Sequence, residues 1–419
     1  MAINKKRLLF NTFFIFMLFQ QVLLQYTSGK INKIISYTDE ATECVMICMI
    51  LYMVIKGTIR LYKVEIVMAF AFIAFLFMGF ISNAVYPMQS VFYNIADGLV
   101  CSRFIVAYYW ARFYLRDNAE EYIEGLNKIC RIISVVLFVL TIHDIVFTPF
   151  FQKSDYRYFM YSIKLFFPHS SYMAVACFTC IVILGTQLRK HNRNIIYILL
   201  LEICTLFTLR SKAIASILAI DVLYIFIFYM HIISPYIIGV ISSIGAVAIG
   251  WKNFAFYYLL DKEIIDTAVR AKLHKDSVIL ANTYFPFGTG FATFGSNLAA
   301  KHYSDLYVSL GYLKIQGGGV DGGFLSDTFW PIVIAQTGWL GTIAFLVVVI
   351  GLIYLAVKIR KYNRYYYWML LSIVAYELIS STSEPAFFNP SVFIIFILYA
   401  MIINAGTKER LVIEKNKVD

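Results

Sequence analysis

YFPFGTGFATFGSNLAAKHYSDLY, residues 284–307, and GGGVDGGFLSDTFW, residues 317–330, form the polar interruption in an otherwise apolar chain. Hydrophobic residues make up 60% of the 419 residues and charged residues only 15%, with a mean hydropathy of +0.73. Soluble domains sit near about 45–50% apolar, so the surroundings of this stretch read as membrane. The apolar runs are continuous rather than alternating, which selects transmembrane helices over a β-barrel. A chain of this kind carries its chemistry where it stops being apolar.

Working outward, apolar runs near the ~20 residues that cross a bilayer recur along the chain. They predict about twelve spans, at 8–24, 41–55, 64–80, 91–110, 129–147, 170–188, 195–209, 213–230, 236–250, 331–357, 366–380 and 391–405. The expected fold is therefore an all-α polytopic bundle in three parts: helices one to nine over 1–250, a long outer loop with short helices over 251–330, and helices ten to twelve plus a cytoplasmic tail over 331–419. Lys5, Lys6 and Arg7 precede the first span without a small-residue cleavage site, so that helix is expected to be retained.

The net charge of +11 does not point to nucleic acid, because Lys and Arg cluster in short segments between spans. With both termini in the cytoplasm, the inner segments hold roughly three times as many Lys and Arg as the short outer loops, the positive-inside pattern. Parity then puts 251–330 outside, away from ATP and nucleotide sugars. The substrate must already be outside or be presented there on a lipid. No internal repeat is visible, which weighs against an inverted-repeat carrier. The seven cysteines fall in or beside apolar spans, and Cys177-x-x-Cys180 lacks a second pair or His cluster, so it reads as small apolar residues on a helix face.

Several polar residues are candidates for chemistry. DKEIIDTAVRAKLHKDSVIL (261–280) reads as a surface helix with Arg270 and Lys272 near its middle. Gly288, Gly290 and Gly295 permit tight turns and close backbone approach to a ligand, or a turn packed by Phe285, Phe287, Phe291 and Phe294. The spacing is neither a dinucleotide fingerprint nor a phosphate-binding P-loop. His302 carries an imidazole, a side chain suited to accept a proton from a sugar hydroxyl, or is simply solvated. Asp321 sits in a Gly-rich turn. Asp327 either caps the helix that follows or acts as a base. Arg210 and Lys212, in a tight turn at an outer membrane face, run against the inside-positive trend; they either bind a pyrophosphate or snorkel to headgroups. Asp97, Arg103, Asp144, Glu202, Asp221 and Glu377 are further charges in or beside spans, whose pairing sequence does not give.

FPFGTGFATFGSNLAAKHYSDLY together with GGFLSDTFWPIVIAQTGWLG resembles the O-antigen and capsular polysaccharide polymerase family, related to the O-antigen ligases. The likeness lies in a multi-span chain and one long late outer loop. That loop has a Gly-x-Gly element and a polar motif directly before a span bearing Gly338-x-x-Gly341. The Arg-Ser-Lys-Ala turn, Arg210 to Ala213, is similar to the family's cation-bearing turn. The resemblance implies that a glycan hydroxyl attacks the anomeric carbon of an undecaprenyl-pyrophosphate-linked glycan and that undecaprenyl pyrophosphate leaves, with no cofactor and no metal. Arg210, Lys212 and Arg270 would hold the leaving pyrophosphate, with Gly288 and Gly290 beside the substrate. Where ligase-like members carry a His-Asn pair, this chain has Asp327 and Thr328, so the base role passes to Asp327 ahead of His302.

The expectation is thus a bacterial cytoplasmic-membrane glycosyltransferase that polymerises lipid-linked repeat units into capsule, O-antigen or exopolysaccharide. It would work in the bilayer beside the chain-length regulator and flippase of its pathway, without nucleic acid. The alternatives are a ligase that transfers the glycan to another acceptor and, in a different class, a flippase for the lipid-linked unit with charges lining a central cavity.

Overall fold

The computed structural model describes residues 5–57, 59, 61–147, 150–152, 155–229, 268–320 and 323–415, with side chains through 409. These residues are almost wholly helical. The first half contains α1 (Lys5–Tyr26), α2 (Gly29–Ser36), α3 (Thr38–Ile55), α4 (Lys63–Val85), α5 (Val91–Tyr114), α6 (Ala119–Val146), α7 (Ser170–Thr186), α8 (Asn194–Leu206) and α9 (Ser211–Phe228). A two-residue hairpin, β1 (Tyr156–Arg157) with β2 (Met160–Tyr161), lies before α7. The second half contains α10 (Val269–Thr283), α11 (Asn297–Lys301), α12 (Asp305–Ser309), α13 (Trp330–Ile359), α14 (Arg364–Ser380) and α15 (Val392–Lys415).

Each predicted span within the described residues coincides with one of these helices. The predicted span 236–250, the first part of the polar segment (251–267) and Asp321 lie outside them. Among the described residues, seven helices are long and apolar enough to cross a membrane: α1, α4, α5, α6, α9, α13 and α15 up to Glu409. α7 and α8 are apolar but have 17 and 13 residues. α3 carries Asp39, Glu40 and Glu43 in its first two turns. Among the described residues, the other predicted spans coincide with helices that are shorter or more charged than these seven.

α13 packs against α4 and α10, α15 against α5, and α14 against α9. The core is aromatic. Phe104 touches Phe72, Phe345, Phe387 and Phe396, so α4, α5, α13 and α15 meet around one ring. Short charged contacts mark the two ends of the bundle. At one end Arg112 bridges Glu65 (2.5 Å) and Asn404, while Arg7 faces Glu121 and Lys190 pairs with Glu120. At the other, Lys212 meets Glu384 and Arg210 meets Asp155, joining the α8–α9 turn to the loops after α14 and before α7.

The expected surface helix is not on the surface. α10 starts at Val269, which puts Arg270 in its first turn rather than its middle. Val269, Leu273 and Leu280 pack with Phe294, Tyr307, Tyr312 and Leu325 into a second small core. The segment's mean polarity hides an apolar stripe at helical spacing.

Candidate functional site

The Gly-x-Gly element of the polar stretch meets a break in α13. Gly338 lies at φ +64° inside that helix, where the regular ladder cannot continue. The exposed carbonyls are taken up by the loop: Thr289 N–H donates to Ala335 O (2.8 Å) and Gly290 N–H to Gln336 O (2.9 Å). Loop carbonyls are held in turn, by Ser82 Oγ on Gly288 O (2.5 Å), Asn94 on Phe291 O (3.2 Å) and Gln89 on Ala292 O (3.1 Å). Asp97 accepts from Ala292 N–H (2.7 Å). Irregular backbone among apolar helices persists only where its polar groups are satisfied in this way. Phe291 fills the space beside Gly79 against Phe75 and Phe80.

Of the two readings of Gly288 and Gly290, these contacts describe the packed turn. Their close backbone approach is to protein. A Cβ on Gly288 would lie 2.4 Å from Gly338 N, and one on Gly290 would lie 3.1 Å from Asn83 N. Of the four Phe expected to pack the turn, Phe291 and Phe294 are fully buried while Phe285 is 61% exposed.

Above this loop, Arg270 pairs with Asp327 and lies 5.6 Å from the Phe324 ring. Two candidates drawn from positions 57 apart therefore form one unit. Asp327 does not cap α13: that helix begins at Trp330 after Phe329, with no side-chain cap. Phe329 rests on Phe388 (4.9 Å) and Phe387 (5.2 Å), which follow Glu384 in sequence. That contact places the Arg270–Asp327 pair at the same end of the bundle as Lys212 and Arg210.

Arg210 is buried, at 8% exposure. Its Nε donates to Ser170 Oγ (2.6 Å), and one terminal nitrogen reaches Asp155 Oδ2 (3.1 Å) and His169 Nε2 (2.6 Å). Burial, helped by the Arg210 charge, pushes the His169 ring pKa down to about 4. Lys212 is held by Glu384. Each of the three candidate cations thus has a carboxylate partner, and all three carboxylates belong to loops between helices.

His302 stands apart from these contacts. Its ring is exposed and stacks on Tyr93 at 3.7 Å, and none of its described contacts reaches Arg210, Lys212, Arg270 or Asp327. The charges inside helices are largely engaged by protein. Arg103 meets Asp39 (3.1 Å), Glu40 (2.7 Å) and Glu43 (3.7 Å), and Asp97 holds the loop backbone. Asp144 accepts from Phe150 N–H (3.0 Å). All seven cysteines are free thiols, and no cluster of three or more His, Cys, Asp or Glu among the described residues is arranged to hold a metal ion.

Sequence reasoning missed His169, Asp155 and Glu384. Each lies in a loop remote in sequence from the cation it meets, and no spacing announces the pairing. Compared with known proteins, the chain matches no family model and no curated sequence.

Proposed function

We propose that this protein is a membrane glycosyltransferase that polymerises oligosaccharide repeat units carried on a lipid pyrophosphate. The observation that carries the reading is that Arg210, Lys212 and Arg270, at one end of an apolar bundle, are each paired with a loop carboxylate. Cations in such a place stabilise charge that develops on a departing pyrophosphate, and a dianionic phosphate competes for them with a carboxylate. The charge bias of the loops makes this the outer end, in a twelve-span bacterial cytoplasmic-membrane protein with both termini inside.

In this mechanism Asp327 accepts the proton of the attacking sugar hydroxyl once the pyrophosphate has drawn Arg270 away from it. The hydroxyl oxygen forms the new bond to the anomeric carbon, and the lipid pyrophosphate leaves with the bonding electrons. Arg210 and Lys212 receive its charge. The lipid tails lie among the apolar side chains exposed around the helices.

The test is product length. Purified protein in detergent is given a lipid-linked repeat unit and no nucleotide, and the glycans are resolved by mass spectrometry. A ladder spaced by one repeat unit is the expected result. Unchanged substrate from folded protein, with an acceptor glycan also supplied, would overturn the reading.

A further inference from the structure

Two hydrogen-bond donors converge on one spot beside Arg210. His169 precedes the 17-residue helix α7, and its Nδ1 accepts from Ser171 N–H (3.2 Å), capping that helix. A neutral imidazole has one lone pair for accepting, so with Nδ1 used as acceptor the proton sits on Nε2. That Nε2 lies 2.6 Å from a terminal nitrogen of Arg210, which is also only a donor. The opposite tautomer merely moves the conflict to Ser171 N–H. With the Ser171 N–H cap kept and the proton on Nε2, two donors face one another at Arg210, an arrangement that an acceptor reaching both resolves.

The negative group nearest to hand is Asp155. Its Oδ2 accepts from the same Arg210 nitrogen (3.1 Å) and from Arg157 (3.2 Å), and its side chain is 54% exposed, just before the β1–β2 hairpin. It is an acceptor on a surface loop, opposite a buried guanidinium that Ser170 fixes from behind.

We propose that His169 Nε2–H and the Arg210 guanidinium form a phosphate-oxyanion site, and that the Asp155 carboxylate occupies its mouth until a phosphate displaces it. The proposal rests on the reading that this end of the bundle receives a pyrophosphate, and it adds a second donor and a competing carboxylate. The recognised chemistry is a phosphate or diphosphate, carried on a lipid or free in solution.

The experiment is calorimetric titration of the full chain in detergent with inorganic pyrophosphate and with farnesyl pyrophosphate. Asp155→Ala is expected to bind inorganic pyrophosphate about five-fold more tightly, by removing the competitor. Asp305→Ala, which removes an exposed acid outside this cluster, is the control and is expected to change nothing. His169→Asn keeps an acceptor for Ser171 N–H but lacks the Nε2 donor, and is expected to bind about ten-fold more weakly. Tighter binding of farnesyl than of inorganic pyrophosphate identifies a lipid headgroup as the ligand; equal binding identifies the free anion. If Arg210→Ala loses binding while Asp155→Ala and His169→Asn bind as the unaltered protein does, or if Asp305→Ala tightens binding as much as Asp155→Ala, the site as drawn here is wrong and the proposed function stands. If Arg210→Ala also binds normally, the pyrophosphate reading of this end falls with it.

Discussion

Gly288 and Gly338 meet backbone to backbone, one in the polar loop and one in the break of α13. A Cβ on either would enter the other's main chain, at 2.4 Å from Gly338 N in one case and 2.8 Å from Gly288 N in the other. Both also lie at positive φ, +81° and +64°. Gly288→Ala and Gly338→Ala are therefore expected to destabilise the protein by roughly 2–4 kcal/mol each, from left-handed strain together with a clash against backbone. Thermal unfolding in detergent reads this; a melting temperature unchanged in both variants would show that the loop does not seat on the break.

Asp97 is the acceptor that anchors the same loop, through Ala292 N–H. Asp97→Asn keeps an acceptor oxygen, whereas Asp97→Ala leaves a buried N–H unmatched at a cost of about 1–3 kcal/mol. The expected order of stability is wild type and Asn close together, Ala well below. Equal loss in both variants would instead assign the role to the negative charge.

Arg270 and Asp327 have side chains 34% and 36% exposed, so their pair is worth about 1 kcal/mol or less to folding. Asp327→Asn is expected to leave the melting temperature within a degree or two while lowering polymer formation at least ~100-fold, the usual range for a lost general base. Retention of full-length product by Asp327→Asn would remove Asp327 from the chemistry.

The other end of the bundle behaves differently. Arg112 and Glu65 are buried, and the pair sits among Tyr108 and Tyr109, whose hydroxyls reach Glu65 at 2.5 Å. Arg112→Ala strands the Glu65 carboxylate and is expected to cost about 3–5 kcal/mol, visible as poor folding yield. The double variant Arg112→Met, Glu65→Leu should recover part of that loss. A single variant as stable as the wild type would contradict the buried pairing.

His169 sets a pH dependence. Its ring titrates at about 4 in the folded protein, against an ordinary value of 6.5. Above ~6.5 the ring is neutral in both states and contributes no pH dependence. Between ~6.5 and ~4 the unfolded chain binds a proton that the folded one does not, so stability falls as pH falls. The group is partly solvated, which reduces the loss to on the order of 1 kcal/mol. Unfolding followed from pH 7.5 to 5 should show a shallower decline for His169→Asn than for the wild type.

Much of the fold was legible beforehand. Runs such as KVEIVMAFAFIAFLFMGFISNAV leave a helix as the way to satisfy the backbone, and helices appear at every described position where such a run was read. The polar stretch stood out in the sequence, but its geometry was not legible. Gly288 and Gly290 look like a ligand cradle because glycine marks close approach without naming what approaches. Asp327 read as either a cap or a base because position relative to the next helix was the available cue; its partner Arg270 is 57 residues away.

By itself the sequence determined what is short-range: which segments are apolar enough to be helical, where the polar stretch interrupts them, and which ends of the helices carry the positive charge. Hydrogen bonding of the backbone and burial of apolar side chains act over a few residues, so composition reports them. The tertiary structure decided which charges meet. Arg210 with His169 and Asp155, Lys212 with Glu384, Arg270 with Asp327, and the loop amides on the α13 break are contacts between segments far apart in sequence. Coulomb attraction and hydrogen bonding act on distance in space, which only the packing of the helices sets.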